Sequence, residues 1–345
     1  MLNILQKTLG WRNWAVFSYN SFIENIFVVF YIALVTRNYS NAFLINLLLF
    51  YIFSVFSTSF GYLINDLADR ELDRKHNKSN TFENTNERVA ISVVIAVFVL
   101  SAMPAINFIS NRYFAFLWIL WTLAAVFYSV KPVRLKERGK TGLIVVVFAQ
   151  RVLPVLLVFA AFRFNNLTDI MLITFYILMR GLSSDVNHQI EDFNSDLKTS
   201  TGTFAVTAGL ERIRRVFHLI LEVEKLLLAA VLLLFVLRFQ DYPAGYSVNT
   251  GILAIIYLII LIISYFRIRG GADRNPFRIH EKNIFQFLHH AYPSVILPLA
   301  LIIIIIPNNM LFALVLLAFL FNKKMLSLKT YINSYPLLFL KKMRQ

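Results

Sequence analysis

A chain of 345 residues that is 58% hydrophobic and only 15% charged cannot hide its apolar surface in a water-soluble domain, so it belongs in lipid. Its net charge of +15 would suit a nucleic-acid partner, but the basic residues collect one-sidedly between apolar runs, which excludes that class. The absence of cysteine excludes disulfides and thiolate metal sites.

The apolar runs have the length that crosses a hydrocarbon core as helix, roughly 17 to 23 residues. They predict an all-α integral membrane protein forming a single polytopic domain over residues 1–345. In chain order the expected spans are Trp14–Val35, Ala42–Ile64, Val89–Ile109, Tyr113–Val130, Gly142–Ala161, Leu167–Ser184, Val216–Leu237, Val248–Phe266 and Phe285–Ile306, with Met310–Phe321 as a short tenth candidate. Nothing alternates with period two, so a barrel is excluded. The first span lacks a cleavage site and reads as an anchor rather than a signal peptide. With the N-terminus inside, the outer loops hold only Arg37, Arg112, Arg163 and Arg238, while Arg151 and Lys225 fall within spans. That asymmetry obeys the positive-inside rule and favours the tenth span, which keeps the basic tail from Lys323 to Arg344 inside. Outer connections are short and inner ones long and polar; Arg267–Lys282 reads as a flexible linker.

The first span carries Asn20 and Glu24 on one face. Asn20 is open to two readings, acceptor binding or interhelical hydrogen bonding. The second span ends in Asn65-Asp66-Leu-Ala-Asp69-Arg70-Glu71-Leu-Asp73-Arg74. On a helix Asp66, Asp69 and Asp73 lie within about 60° of one another, so three acids share one face. Such acids repel unless a cation relieves them. Either Mg²⁺ does so, completed by water and phosphate oxygens, or Arg70 and Arg74 neutralise a solvated helix end. After the fourth span comes the basic loop Tyr128-Ser-Val-Lys131-Pro-Val-Arg134-Leu-Lys136-Glu-Arg138-Gly139. At the end of the sixth the chain reads Arg180-Gly-Leu-Ser-Ser-Asp185-Val-Asn187-His188-Gln189-Ile-Glu191-Asp192-Phe-Asn194-Ser-Asp196-Leu-Lys198, which puts Asp185, Asp192 and Asp196 on one helical face. Both acidic loops fall on the inner side. Two acid faces there fit a diphosphate held between Mg²⁺ ions, with His188 and Lys198 as further substrate-binding candidates. In the seventh span, Glu224 and Lys225 pair with each other or with neighbouring helices, and His289 and His290 near the start of the ninth are expected at the interface.

Asn65-Asp66-x-x-Asp69-x-x-x-Asp73, the Tyr128–Gly139 loop, and Asp192-x-x-x-Asp196 followed by Thr203-Phe204-Ala205-Val206 together resemble the signatures of the UbiA superfamily of intramembrane prenyltransferases. The resemblance runs from Trp11 to Ile306. It implies nine helices around a central cavity with both aspartate motifs at a cytoplasmic cap. Asn65, Asp66, Asp69, Asp73, Asp192 and Asp196 would then hold Mg²⁺ and a prenyl diphosphate, with Asp66, Asp69, Asp192 and Asp196 at the chemistry. Lys131, Arg134 and Lys136 would contact phosphate, unless they serve only as positive-inside anchors. The ring of Tyr128 would face an allylic cation or simply anchor the interface. The implied reaction is Mg²⁺-dependent prenyl transfer to an aromatic or other hydrophobic acceptor, in the bilayer of an inner (plasma) membrane.

The chain departs from the family pattern at His76-Asn77-Lys78-Ser79-Asn80-Thr81, where many relatives carry Arg-Pro, at Gln189, where several carry Asp, and in lacking the Arg-Pro pair usual at the start of the first span. Acceptor and prenyl length therefore stay open. So do a terpene cyclase or phosphoribosyl-transferring relative and, in another class, a transporter or cation-binding protein.

Overall fold

The computed structural model describes residues 16–75, 78–198, 201–240, 242, 244–271, 273–277, 283–323 and 325. Among them regular structure is helical: α1 (Ser21–Glu24), α2 (Phe27–Thr36), α3 (Asn41–Lys75), α4 (Glu87–Ala105), α5 (Arg112–Ser129), α6 (Gly139–Ala161), α7 (Leu167–Glu191), α8 (Phe193–Lys198), α9 (Phe204–Ala208), α10 (Leu210–Phe239), α11 (Ala244–Arg269), α12 (Ile284–Asn308) and α13 (Phe312–Asn322). Seven of these helices hold stretches long and apolar enough to cross a membrane.

The expected first span is not one helix. Asn20 caps α1 by accepting from the Ile23 amide at 3.0 Å, and the helix breaks at Asn25 before α2 begins. Trp14, the expected start of that span, lies outside the described residues. Every residue of α2 from Phe27 to Leu34 is buried, as expected of a helix apolar on all sides at the centre of a bundle. Tyr31 stacks on Phe235 of α10 with ring centroids 4.3 Å apart. α5 and α11 instead turn Phe116, Ile119, Ile255 and Ile259 outward, the arrangement of peripheral helices against lipid. The expected seventh span corresponds to α10, whose Glu222, Glu224 and Lys225 keep it off the apolar seven. The tenth corresponds to the eleven residues of α13, which rise about 16 Å against roughly 30 Å of hydrocarbon. Nearly all of the basic tail lies outside the described residues, as does part of the Arg267–Lys282 segment, whose first residues continue α11.

Two features place the functional residues. The 35 residues of α3 extend about 50 Å, so the Asn65–Lys75 end stands beyond the apolar stretch. At that end a small second core of Leu143, Val147, Val186, Ala205, Ile213 and Phe217 binds α6, α7, α9 and α10 together. In addition, α6 and α12 each contain wide turns, Phe148–Val152 and Phe287–Ile296, which re-aim Arg151, His289 and His290 into the bundle.

Candidate active site

The basic loop and the first acidic motif meet directly. Arg134 Nη2 donates to Asp69 Oδ1 at 2.8 Å, and Lys136 donates to the other oxygen of the same carboxylate. Lys136 also reaches Asn65 Oδ1 at 2.9 Å, where the Ser129 hydroxyl donates at 2.9 Å as well. Two glycines permit this closeness. A Cβ on Gly142 would come within 2.6 Å of the Leu135 carbonyl, so only glycine lets α6 start beneath the loop. Gly139, at φ +51°, donates its amide to the Gly202 carbonyl at 2.7 Å, pinning the basic loop to the segment after the second acidic motif. Arg134 also pairs with Glu137.

Facing this assembly is a cavity of about 670 Å³ lined by Asp69, Asp73, Glu137, Asp185, Asp192 and Asp196 and by Lys78, Arg134 and Lys136. Six carboxylates thus meet three cationic side chains, and His188 adds an imidazole. Burial pushes the Lys136 ammonium below its ordinary range despite Asp69 beside it. For Arg134, burial opposes the charge, but Glu137 and Asp69 outweigh it and hold the guanidinium above its ordinary value. Burial, reinforced by neighbouring Asp192, raises the Asp196 carboxyl.

A second cavity, of about 300 Å³, runs into the bundle from the same place. Asn65, Asp66 and Tyr128 lie at one end; Phe22, Phe50, Phe53, Trp121 and Leu157 line the remainder together with polar residues that include Asn20, Ser57, Gln150 and Arg151. Tyr128 lines both cavities. From Asp66 to Phe50 the apolar cavity follows α3 for about 24 Å.

The structure brings most of the expected residues together and separates some. Asp185, Asp192 and Asp196 line the polar cavity although the helix breaks at Asp192, which caps α7. Asp66 lines the apolar cavity instead, and its Oδ2 accepts from the Thr81 hydroxyl at 2.6 Å. Asp73 accepts from Asn80 at 2.7 Å, and the same Asn80 amide donates to the Asp66 carbonyl at 2.8 Å. Lys131 and Lys198 are exposed and line neither cavity. Asn20 lines the apolar cavity, but its side chain is engaged locally, capping α1 and donating to the Val16 carbonyl at 2.8 Å. Glu224 pairs with His289 at 2.6 Å and accepts from Ser183 at 2.6 Å; Lys225 pairs with Glu222. His289 is therefore buried inside the bundle, not at the interface where sequence put it. Sequence reasoning did not single out Lys78, Asn80, Thr81 or Gln189 as site residues. Nothing in a polar Lys-Ser-Asn-Thr stretch marks it as folding back onto the acidic helix.

The carboxylates suit a hard oxygen-seeking cation. Mg²⁺ is commonly held by one or two carboxylates, with waters and substrate phosphates completing its shell.

The sequence profile of the UbiA prenyltransferase family matches residues 26–288. Digeranylgeranylglyceryl phosphate synthase of Sulfurisphaera tokodaii is 24% identical over 205 residues, which cover 59% of this chain and 69% of that protein. The synthase of the same name from Saccharolobus solfataricus is 25% identical over 209 residues, 59% of this chain and 66% of its own. Among solved structures, a UbiA homologue from Archaeoglobus fulgidus bound to GPP and Mg²⁺ superposes with a TM-score of 0.57 at 19% identity, covering 88% of this chain and 99% of that one. At that identity the likeness speaks for the fold.

Proposed function

This chain belongs to the UbiA prenyltransferase family, and from that premise we propose that it takes a prenyl diphosphate with Mg²⁺ at the aspartate-lined cavity and transfers the prenyl group to a lipid-pathway acceptor within the membrane. The observation that carries the reading is a pair of neighbouring cavities, one with carboxylates in excess and one in which aromatic and apolar side chains predominate, with Tyr128 in the wall of both. A diphosphate cannot enter a pocket of six carboxylates and three cations unless divalent ions come with it. Magnesium, when bound, would neutralise the diphosphate and the charge that grows on it as the allylic C–O bond breaks.

The chain's own residues do the rest. Asp73, Asp185, Asp192 and Asp196 offer carboxylate oxygens for the ions, and Asp66, Asp69 and Asn65 close the mouth where the polar and apolar cavities meet. Arg134 and Lys136, fixed by Asp69 and Gly142, stand ready to hold phosphate oxygens without reorganising during the reaction. The prenyl tail lies along Phe22, Phe50, Phe53 and Trp121, which keep water from the developing cation, while the Tyr128 ring sits where that cation forms. The acceptor atom bonds to the allylic carbon, the diphosphate leaves with the electron pair, and the acceptor's proton departs on it. The aspartate end faces the cytoplasm, on the positive-inside count.

Purified protein incubated with Mg²⁺, a panel of prenyl diphosphates and a prenylglyceryl phosphate tests this. Prenylated product and released diphosphate in equal amounts are expected. Diphosphate binding without product at every chain length, from folded protein, would sink the transfer reading.

A further inference from the structure

Two cations share the Asp69 carboxylate, and they are held in different ways. The Arg134 guanidinium is tied on three sides, to Asp69 Oδ1 at 2.8 Å, to Glu137 and to the Ser129 carbonyl at 3.3 Å. Lys136 is held through its ammonium, between the second oxygen of Asp69 and Asn65 Oδ1 at 2.9 Å. Both of those oxygens belong to the first acidic motif, and their residues stand one turn apart on α3. A lysine ammonium only donates, so the Asn65 side chain turns its oxygen and not its nitrogen toward it. Two side-chain oxygens converging on one positive group form the kind of donor set that a hard cation takes.

The root of Lys136 is fixed, whereas its stem is free to turn. Its Cα and carbonyl oxygen lie 3.1 and 3.0 Å from the place that a Cβ would take on Gly142, and the Gly139 amide is bound to the Gly202 carbonyl at 2.7 Å. The loop backbone is therefore clamped from both sides. The four-carbon stem can still swing the ammonium off α3 into the polar cavity, whose wall Lys136 shares with Asp73, Asp192 and Asp196. The planar fork of Arg134, with its three partners, lacks that freedom. An ammonium and a divalent ion on the same two oxygens would repel at contact distance, so one must leave for the other to bind.

We propose that Lys136 is a built-in stand-in cation. It occupies Asn65 and Asp69 until a divalent ion arrives together with a diphosphate, and it then gives up both oxygens and takes a phosphate oxygen instead. This rests on the prenyl-transfer reading and adds the order of loading: a lone ion must displace the ammonium with nothing to receive it, whereas an ion that comes with a diphosphate brings the ammonium its next partner. The exchange is complete before the allylic bond breaks, so Lys136 is already in place when charge grows on the diphosphate.

The test is binding of Mn²⁺, which takes the same oxygen ligands as Mg²⁺, to the detergent-purified full chain, with free Mn²⁺ counted by electron paramagnetic resonance. Without diphosphate, Lys136→Met and Lys136→Gln should each bind Mn²⁺ about 10-fold tighter than wild type, and Lys136→Arg, which keeps the charge, should stay within about 3-fold of it. Lys78→Met removes the same charge from the wall of the same cavity and should tighten Mn²⁺ by about 2-fold at most. At saturating Mn²⁺, Lys136→Met should bind geranylgeranyl diphosphate about 10-fold more weakly than wild type. One substitution thus moves the two ligands in opposite directions, which a damaged fold cannot do, since it weakens both. Unchanged or weaker Mn²⁺ binding in folded Lys136→Met and Lys136→Gln would overturn the stand-in. Equal tightening in Lys78→Met would overturn it too, by assigning the effect to the overall charge of the cavity. If wild type at saturating Mn²⁺ binds no diphosphate, the donor reading fails; if it binds diphosphate while the Lys136 variants leave Mn²⁺ affinity unmoved, the stand-in alone fails.

Discussion

Helix α7 carries acids at both ends, and the two ends treat them in opposite ways. At one end Asp169 is fully buried (0% exposed) and fully matched: Tyr31 donates to it at 2.7 Å and Arg238 at 2.7 and 3.2 Å. At the other, Asp185 and the capping Asp192, with Asp196 of α8 just beyond, face an open cavity in which carboxylates outnumber Lys and Arg two to one. A matched charge holds helices together, and α2, α7 and α10 meet at Asp169. Carboxylates in such excess repel one another, and that cost is relieved where a ligand brings positive charge.

That contrast makes predictions that can break it, the largest first. Asp192→Asn should lower the prenyl-transfer rate about 10³-fold with little change in melting temperature, measured by product formation and by thermal unfolding in detergent. Asp169→Ala should do the reverse, losing about 2 kcal/mol of stability because the Tyr31 hydroxyl is left unpaired in the core, with turnover per folded molecule unchanged. If both variants lose activity and stability alike, the distinction between the ion-paired acid and the acids in excess fails. Gly142→Ala should cut turnover about 10-fold by forcing the loop bearing Lys136 away from Asp69, an effect read as weaker diphosphate binding at fixed Mg²⁺. Thr81→Val should be mildest, about 3-fold, because it removes only the hydroxyl's hydrogen bond to the Asp66 carboxylate and keeps the backbone one.

The sequence made the helical membrane fold legible, because roughly 20-residue apolar runs admit no other spanning structure here. It also made the two acidic faces legible, since spacing along a helix fixes direction. What it hid arises from contacts distant in sequence and from irregular turns. Asn80 and Thr81 act on Asp66 and Asp73 only because the chain folds back after α3. The burial of His289 depends on a ten-residue wide turn in α12, which no 3.6-residue periodicity announces. The break at Asn25 was hidden because Asn20 and Glu24 read as polar residues on one face of a continuous span rather than as the ends of a short helix. Arg180 falls inside the expected sixth span, but nothing in its spacing shows that it turns inward onto Asn25 and Ser294.

The central claim is that the aspartate cavity accepts its anionic donor only together with divalent cations. Titrating the purified protein with geranylgeranyl diphosphate at increasing Mg²⁺ measures it directly. No binding is expected in excess EDTA, with saturable binding as Mg²⁺ rises and loss of that binding in Asp192→Asn. Tight binding in EDTA, unaffected by the substitution, would contradict it.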